Sequence, residues 1–485
     1  MNTGTKILKN TIFLSIGRFT VLASGILWTA VLARYIGPEI YGVYAHAQSL
    51  AAIIVLLVNF GFDQLLIRDV AQKPSAGKSY LKKILTLKIF LAVIAVGIFI
   101  IYGFNSDWER QRLLIASVVM ASYLVSSFGS IFISMLHAYQ AMGYDSLTRS
   151  LRAVIALVGG VIAVKMGLSF PIILVVLMSA SLLPVIINAY LTGRITRKVN
   201  QVSEKIISAP KLLVKSIPFA ALMMISVIYA NLIILLLRHL TSDDAIVGNF
   251  AAAHRIYTMI FIVPEMLFHA IFPAFSSVYA TSIERFRSMF LRAYKYMFAI
   301  TVPMGVGLWV IAPYVIRLIY GQQFDTAGSA LRILSLSLLN SVGYIMGPAM
   351  VAMGHQTLSA IFFGSALIGV GIAGYLAIPV WGTNGACWAV VAGNAISFFV
   401  YAFYLFRKLK ISYPLVWVAK ISTASLVMGI ATYFLSQHIN FLVASFAIAP
   451  PLYILVNKIL KTLSPEDIQK LKTLAPKKLL LISNQ

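Results

Sequence analysis

Charge is scarce in this 485-residue chain: Asp, Glu, Lys and Arg together make up 11%, against about 25% in soluble domains. Too little polar surface remains to clothe a water-soluble enzyme or nucleic-acid binder of this length. Acidic residues are scarcer still, 14 against 39 Lys plus Arg. Cysteine occurs once, as Cys387, which excludes an intrachain disulfide and a cysteine metal cluster. Disorder is excluded by 29 Phe and 23 Tyr, which could not stay solvated. What the chain does have is apolar bulk, 60% hydrophobic residues with a mean hydropathy of +0.90. The fold class expected is an all-α polytopic membrane protein.

Apolar runs of about 20 residues, the length that crosses a bilayer as a helix, centre near residues 23, 52, 93, 125, 157, 180, 225, 260, 305, 340, 367, 394, 425 and 448. That makes about fourteen transmembrane helices joined by short loops, with no room for a soluble domain. The first run, about 11–35, is too long for a signal-peptide core and is expected to be retained. With the N-terminus inside, 28 Lys and Arg fall in cytoplasmic segments, seven outside and four within spans. This positive-inside bias sets the orientation, puts both termini in the cytoplasm, and removes any need for nucleic acid as a partner. The basic loops also suit anionic membrane lipids.

An internal repeat organises the chain. Arg34 and the run Gly42-Val43-Tyr44-Ala45 return as Arg238 and Gly248-Asn249-Phe250-Ala251. Ala141-Met142-Gly143 followed by Ser146-Leu147 returns as Ala352-Met353-Gly354 followed by Thr357-Leu358. Similar offsets in the same order predict two pseudo-symmetric six-helix lobes, 1–212 and 213–411, with two extra helices and a basic tail in 412–485. Six is even, so the repeats are parallel, and two such bundles can rock about a shared midplane cavity. Transport is therefore expected rather than catalysis. An enzyme on lipid-linked sugars would need carboxylates on a larger external loop than 103–112 or 318–330 supplies.

Ionisable residues inside spans are costly and mark function by default. Arg18 in the first span is expected to line the cavity, with snorkelling toward the cytoplasmic headgroups as the alternative. Lys88 is read as snorkelling to the headgroups, and Lys420 as interfacial. The eighth span carries His254, Arg255, Glu265 and His269. At 100° per residue, His254 and Glu265 share a stripe, with His269 one turn on, and Pro264 is expected to kink the helix. Asp63 and Glu265, with His269, are candidates for ion coupling, though Asp63 has an alternative as a salt bridge to Arg68, Lys88 or Arg18. Asn231, Asn340 and Asn394 can line the cavity or serve as interhelical glue. Four cations against two carboxylates within spans favour a phosphate-bearing substrate, which Arg binds in a fork. No cofactor and no metal are implied.

The stretch Ala33 to Ala45, ARYIGPEIYGVYA, the run ending in Leu66-Ile67-Arg68, the YQAMGYDS stretch at 139–146 and the pattern Ile378-Pro379, Trp381-Gly382, Gly385-Ala386 resemble the polysaccharide-transporter flippases. That family includes O-antigen and oligosaccharide-lipid flippases and sits in the multidrug/oligosaccharidyl-lipid/polysaccharide (MOP) superfamily. The resemblance implies translocation of a polyprenyl-pyrophosphate-linked oligosaccharide from the cytoplasmic to the outer leaflet. It implies that Arg18 and Arg255 hold pyrophosphate or acidic sugars, and that a polymerase and glycosyltransferases of the same pathway are partners. The lipid II flippases of the superfamily are an alternative, and a cation/drug antiporter a more distant one. Arg34 and Arg238, equivalent in the two lobes, could form a pseudo-symmetric gate or simply anchor at the interface. The tail from Ser464-Pro465-Glu466-Asp467 is expected to form a short surface helix with Ile468, Leu471 and Leu474 on one face.

Overall fold

A computed structural model describes residues 3–106, 108–199 and 208–462, and among these there are helices and no strands. In chain order the helices are α1 (Thr3–Asn59), α2 (Phe62–Gln72), α3 (Gly77–Phe104), α4 (Arg110–Ala138), α5 (Met142–Lys165), α6 (Phe170–Lys198) and α7 (Ala209–Thr241). They continue as α8 (Asp244–Ile260), α9 (Ile262–Tyr279), α10 (Ile283–Tyr320), α11 (Asp325–Ser335), α12 (Ser337–Asn340), α13 (Met346–Ala352), α14 (Gln356–Leu409), α15 (Leu415–His438) and α16 (Ala449–Ile459). The expected surface helix at 464–474 lies outside the described residues.

Eleven helical stretches among the described residues are long and apolar enough to cross a membrane, so the expected count of fourteen is not met one for one. The reason is backbone continuity. Thr20–Gln72 and Gln356–Leu409, of 53 and 54 residues, each hold two of the expected span centres, and about 20 residues suffice for one crossing. The first runs across the non-helical Gly37 (φ 73°, ψ 174°) and then the α1–α2 turn at Phe60 and Gly61 (φ 37° and 71°), and the second across the non-helical Gly382 (φ 51°, ψ −123°). Glycine is the residue that takes such dihedrals without a Cβ clash, so a bend is made with no loop to mark it. A shorter apolar helix, Val443–Ile459, falls below the length of the eleven. The apolar residues turned outward on α3, among them Phe90 (64%), Val93 (68%) and Ile101 (63%), are unlike a water-facing surface and fit hydrocarbon. The chain is a multi-pass membrane protein.

Two compact units divide the chain. The first comprises Met1–Ala252, Ile319–Phe324 and Gly371–Ala386; the second comprises Ala253–Leu318, Asp325–Val370 and Cys387–Gln485. In the first unit, α1 packs on α3, α4, α5 and α7, and α4 and α5 pack on α6. Small side chains on α1, including Ala45, Ala47 and Ala51, are buried and allow close helix approach, the packing that membrane helices favour. Phe62, Leu66, Val70, Ile84, Ile131, Met135 and Ala138 form a core where α2, α3 and α4 meet. The stretch Ile319–Phe324 is tied to α1 by Arg34 Nε donating to the Ile319 carbonyl at 3.0 Å and by Gln323 Nε2 donating to the carbonyls of Ala33 (3.2 Å) and Arg34 (3.0 Å).

The YQAMGYDS stretch turns the chain between α4 and α5. Gln140 takes φ 57°, and Asp145 in the first turn of α5 receives His137 Nε2 at 2.9 Å and Arg149 Nε at 2.6 Å. Within the second unit the core is aromatic and methionine-rich: Phe275, Phe286, Phe290, Tyr294, Met346, Met350, Tyr401 and Phe406 are buried together. Tyr453 of α16 donates to the Ala299 carbonyl of α10 at 2.7 Å, fixing the last helix to this core.

Candidate functional site

The repeat-related glycines meet in the first unit. A Cβ placed on Gly42 would overlap the Asp244 carbonyl and approach the Gly248 nitrogen. A Cβ on Gly248 would overlap the Pro38 carbonyl and approach the Gly42 nitrogen. Each glycine thus faces the carbonyl four residues before the other, a reciprocal arrangement of the kind a two-fold relation produces on its axis. Backbone approaches backbone here because neither position has a side chain.

Just beyond this crossing, the end of α7 and the start of α8 gather charge. Arg238 and His239 occupy the last turn of α7, where cations interact favourably with the helix dipole. Ser242 at φ 53° ends the helix, its N–H donating to the Arg238 carbonyl at 3.2 Å. Asp243 then caps α8, its Oδ1 accepting from the N–H groups of Ala245 (2.8 Å) and Ile246 (3.3 Å), as Asp does at helix starts. Asp244 is bonded by Arg112 Nη2 from the first turn of α4, and Arg238 Nε stands 3.6 Å from its other oxygen. Two guanidinium groups share one carboxylate. Both Nη1 atoms are buried without a hydrogen-bond partner.

A cleft of about 460 Å3 opens beside this cluster, lined by His46 and Leu50 of α1, Tyr102 of α3, Trp108, and Leu232, Leu235, Leu236, Arg238 and His239 of α7. The Trp108 ring makes edge contacts with His46 (6.3 Å) and Tyr102 (5.5 Å). The cleft combines a cationic, aromatic end with an aliphatic wall. Sequence reasoning singles out Arg238 and places Arg112 in an external loop, but misses His46, Trp108 and Asp244. The available signal is a concentration of charged and aromatic residues at three helix ends.

The predicted site residues fall elsewhere. Asp63, in the first turn of α2, is 3.8 Å from the Lys88 ammonium. Lys88 does not snorkel: its side chain is fully buried. It donates to Asn59 Oδ1 (3.0 Å), the Ser127 carbonyl (2.5 Å), Ser127 Oγ (3.3 Å) and Ser130 Oγ (3.3 Å). The tight packing of α3 on α4, and oxygens within reach of the ammonium, remove both the room and the reason to extend toward a surface. Asn231 donates to the Val227 carbonyl of its own helix at 2.8 Å.

In the second unit, His254 is half-buried, 5.9 Å ring to ring from Tyr257, while Arg255 and Glu265 are exposed. The expected single eighth helix is interrupted at Phe261 between α8 and α9. Pro264, three residues on, lacks the N–H that would bond the Ile260 carbonyl and crowds it. Phe261 itself keeps helical dihedrals (φ −63°, ψ −14°), its N–H donating to the Tyr257 carbonyl at 3.0 Å and its carbonyl accepting from the Glu265 N–H at 3.3 Å, so the interruption is slight. Asn340 is half-buried where α12 gives way to a 3-10 turn, Ser341–Ile345. The side chains of Arg18 and His269 lie outside the described residues. Among the described residues, no group of three or more His, Cys, Asp or Glu is placed to hold a metal.

Residues 7–279, more than half the chain, match the family described as "Polysaccharide biosynthesis protein". The chain belongs to that family. Its fold is that of the MOP superfamily. The lipid II flippase MurJ, in an inward closed conformation, is similar with a TM-score of 0.74 and 16% identity over 93% of this chain and 98% of the flippase. An inward-facing multidrug resistance MATE transporter is similar with a TM-score of 0.65 and 17% identity, over 83% of this chain and 98% of the transporter. A MOP superfamily transporter from Pyrococcus furiosus, described as having a binding pocket of reverse polarity, has a TM-score of 0.56 at 16% identity, over 83% and 96%. No curated protein matches the sequence. The solved structures that share this fold are described as a flippase and transporters.

Proposed function

We propose that this membrane protein translocates a polyprenyl-pyrophosphate-linked oligosaccharide, the repeat unit of a surface polysaccharide, from the cytoplasmic to the outer leaflet by alternating access. The observation that carries the reading is the match to the polysaccharide biosynthesis family over residues 7–279. The similarity in fold to a lipid II flippase supports it, and so does the excess of cations, 39 Lys plus Arg against 14 Asp plus Glu. In this reading the chain makes fourteen passes in the cell (inner) membrane with both termini cytoplasmic. Two lobes, about 1–212 and 213–411, rock against each other, and 412–485 adds two helices and a basic tail. The protein breaks no bond in its cargo and is not an enzyme.

Arg18, His254, Arg255, Asn231 and Asn340 are then cargo-binding candidates, and Asp63, Glu265 and His269 ion-coupling candidates. The exposed Arg255 supplies a cation on α8 suited to phosphate oxygens, with the half-buried His254 beside it. The test is the leaflet distribution of lipid-linked oligosaccharide, read by an outer-leaflet glycosidase on spheroplasts and on inverted vesicles. Depleting the protein, or replacing Arg255 with Ala while insertion stays normal, should leave the lipid-linked oligosaccharide on the inner leaflet. An unchanged distribution on depletion rejects the function, and raised resistance to organic cations on expression would favour the antiporter instead.

A further inference from the structure

We propose that the cleft between α1, α3 and α7 is a resident site for a lipid phosphate, the phosphate held at the Arg238 end and the apolar chain lying along α7. The inference concerns the first unit alone and stands whichever cargo the protein moves.

The cleft has two chemically distinct ends. Arg238, His239 and His46 line one end, and the Arg112–Asp244–Arg238 cluster adjoins it. One carboxylate faces two guanidinium groups there, so a positive charge is left over. Buried polar groups ordinarily have partners, yet Nη1 of Arg238, which lines the cleft, is buried without one, as are Arg112 Nη1 and Asp244 Oδ1 in the adjoining cluster. A phosphate oxygen in the cleft supplies the acceptor that Arg238 Nη1 lacks, and guanidinium binds phosphate with planar geometry.

The other end is aliphatic. Leu232, Leu235 and Leu236 continue down α7 from Arg238, with Leu50 behind them. Six residues of helix cover about 9 Å, enough for the first several methylenes of a chain. A free phosphate would leave this wall uncovered, and a neutral glyceride would leave the guanidinium groups unanswered. Only an anionic amphiphile satisfies both ends. Trp108 and Tyr102, in ring contact at 5.5 Å, are the residue types that settle at the headgroup level. Tyr102 lies in the last turn of α3 and Trp108 between α3 and α4, away from the basic segments expected to hold anionic lipids from the cytoplasm.

The experiment titrates the full chain in detergent by native mass spectrometry. The probes are dioleoylphosphatidic acid, dioleoylphosphatidylglycerol, farnesyl phosphate, dioleoylglycerol and inorganic phosphate. The three phosphate lipids should bind saturably, one per chain, and R238Q/H239N should weaken them about tenfold or more. Tighter binding of farnesyl phosphate identifies a prenyl carrier as the source, tighter binding of the diacyl lipids a bulk phospholipid, and either order supports the site. Unchanged binding by the variant, or equal binding of dioleoylglycerol or inorganic phosphate, overturns it. Because Arg238 also contacts Asp244, the wild type is cross-linked in parallel with a diazirine-bearing phosphatidic acid. Adducts within 102–108 or 232–242 support the proposal, and adducts that miss both stretches overturn it.

Discussion

Lys88 sits where no water reaches it, and the stability of the first unit depends on the oxygens around its ammonium. Asn59, Ser127 and Ser130 solvate it directly, and Asp63 is the nearest countercharge at 3.8 Å. Replacing Lys88 with Met conserves most of the volume but strands those acceptors. Leaving buried polar groups unmatched costs about 1–3 kcal/mol. The larger loss typical of a broken buried ion pair is reduced because the Asp63 side chain is 25% exposed, although the Oδ1 facing Lys88 is buried. K88M should therefore lower the melting temperature in detergent, and K88M/D63N should recover part of the loss. An unchanged melting temperature for K88M would remove the network from the protein's stability. Asn231 is the opposite case. Its amide is bonded to its own helix, so N231A should shift stability by no more than about 0.5 kcal/mol.

Helices in this protein are set by where glycine lets the chain bend or touch. The Gly42–Gly248 crossing leaves no space for a methyl group on either side. Overpacking of this kind costs about 1–3 kcal/mol, and here the obstacle is backbone, which cannot rotate away. G42A should depress the melting temperature and the yield of folded protein. Gly25, on the same helix, has nothing within 4 Å of the place a methyl group would take, and provides the control. G25A should be neutral or stabilising by up to about 1 kcal/mol, the helix preference of Ala over Gly. Equal melting temperatures for the two variants would reject the close crossing.

The same glycines explain how much of the fold is legible in the sequence. The apolar runs, the helical class and the similarity between Gly42-Val43-Tyr44-Ala45 and Gly248-Asn249-Phe250-Ala251 can all be read directly. The number of continuous helices cannot, because at Gly37 and Gly382 the chain passes from one apolar run to the next with a bend and no loop. The break at Phe261 is legible only as Pro264. The cleft is hidden for a different reason. Arg112 and Asp244 are 132 residues apart, and no local period connects them. Lys88 is misread from sequence because depth along one helix does not report the polar atoms on its neighbours.

At the scale of the whole molecule, charge asymmetry and helix length make a joint claim about topology. With the N-terminus inside, 28 basic residues face the cytoplasm and seven face out. Moving basic loops across the bilayer is the orientation the positive-inside rule disfavours. The chain supplies a clean background for testing this, since Cys387 is buried and should not react with an impermeant maleimide. Gln72 and Glu109 are both exposed and are separated by α3, whose span Pro74–Phe104 is 31 residues long with a hydropathy of 2.8. About 20 residues already cross the hydrocarbon core, so α3 must carry these two positions to opposite sides. Glu109→Cys should label in intact cells, and Gln72→Cys should label only after permeabilisation. The reverse pattern would invert the protein, moving the basic–aromatic cleft to the cytoplasmic face. Labelling of both from outside would mean that α3 does not cross.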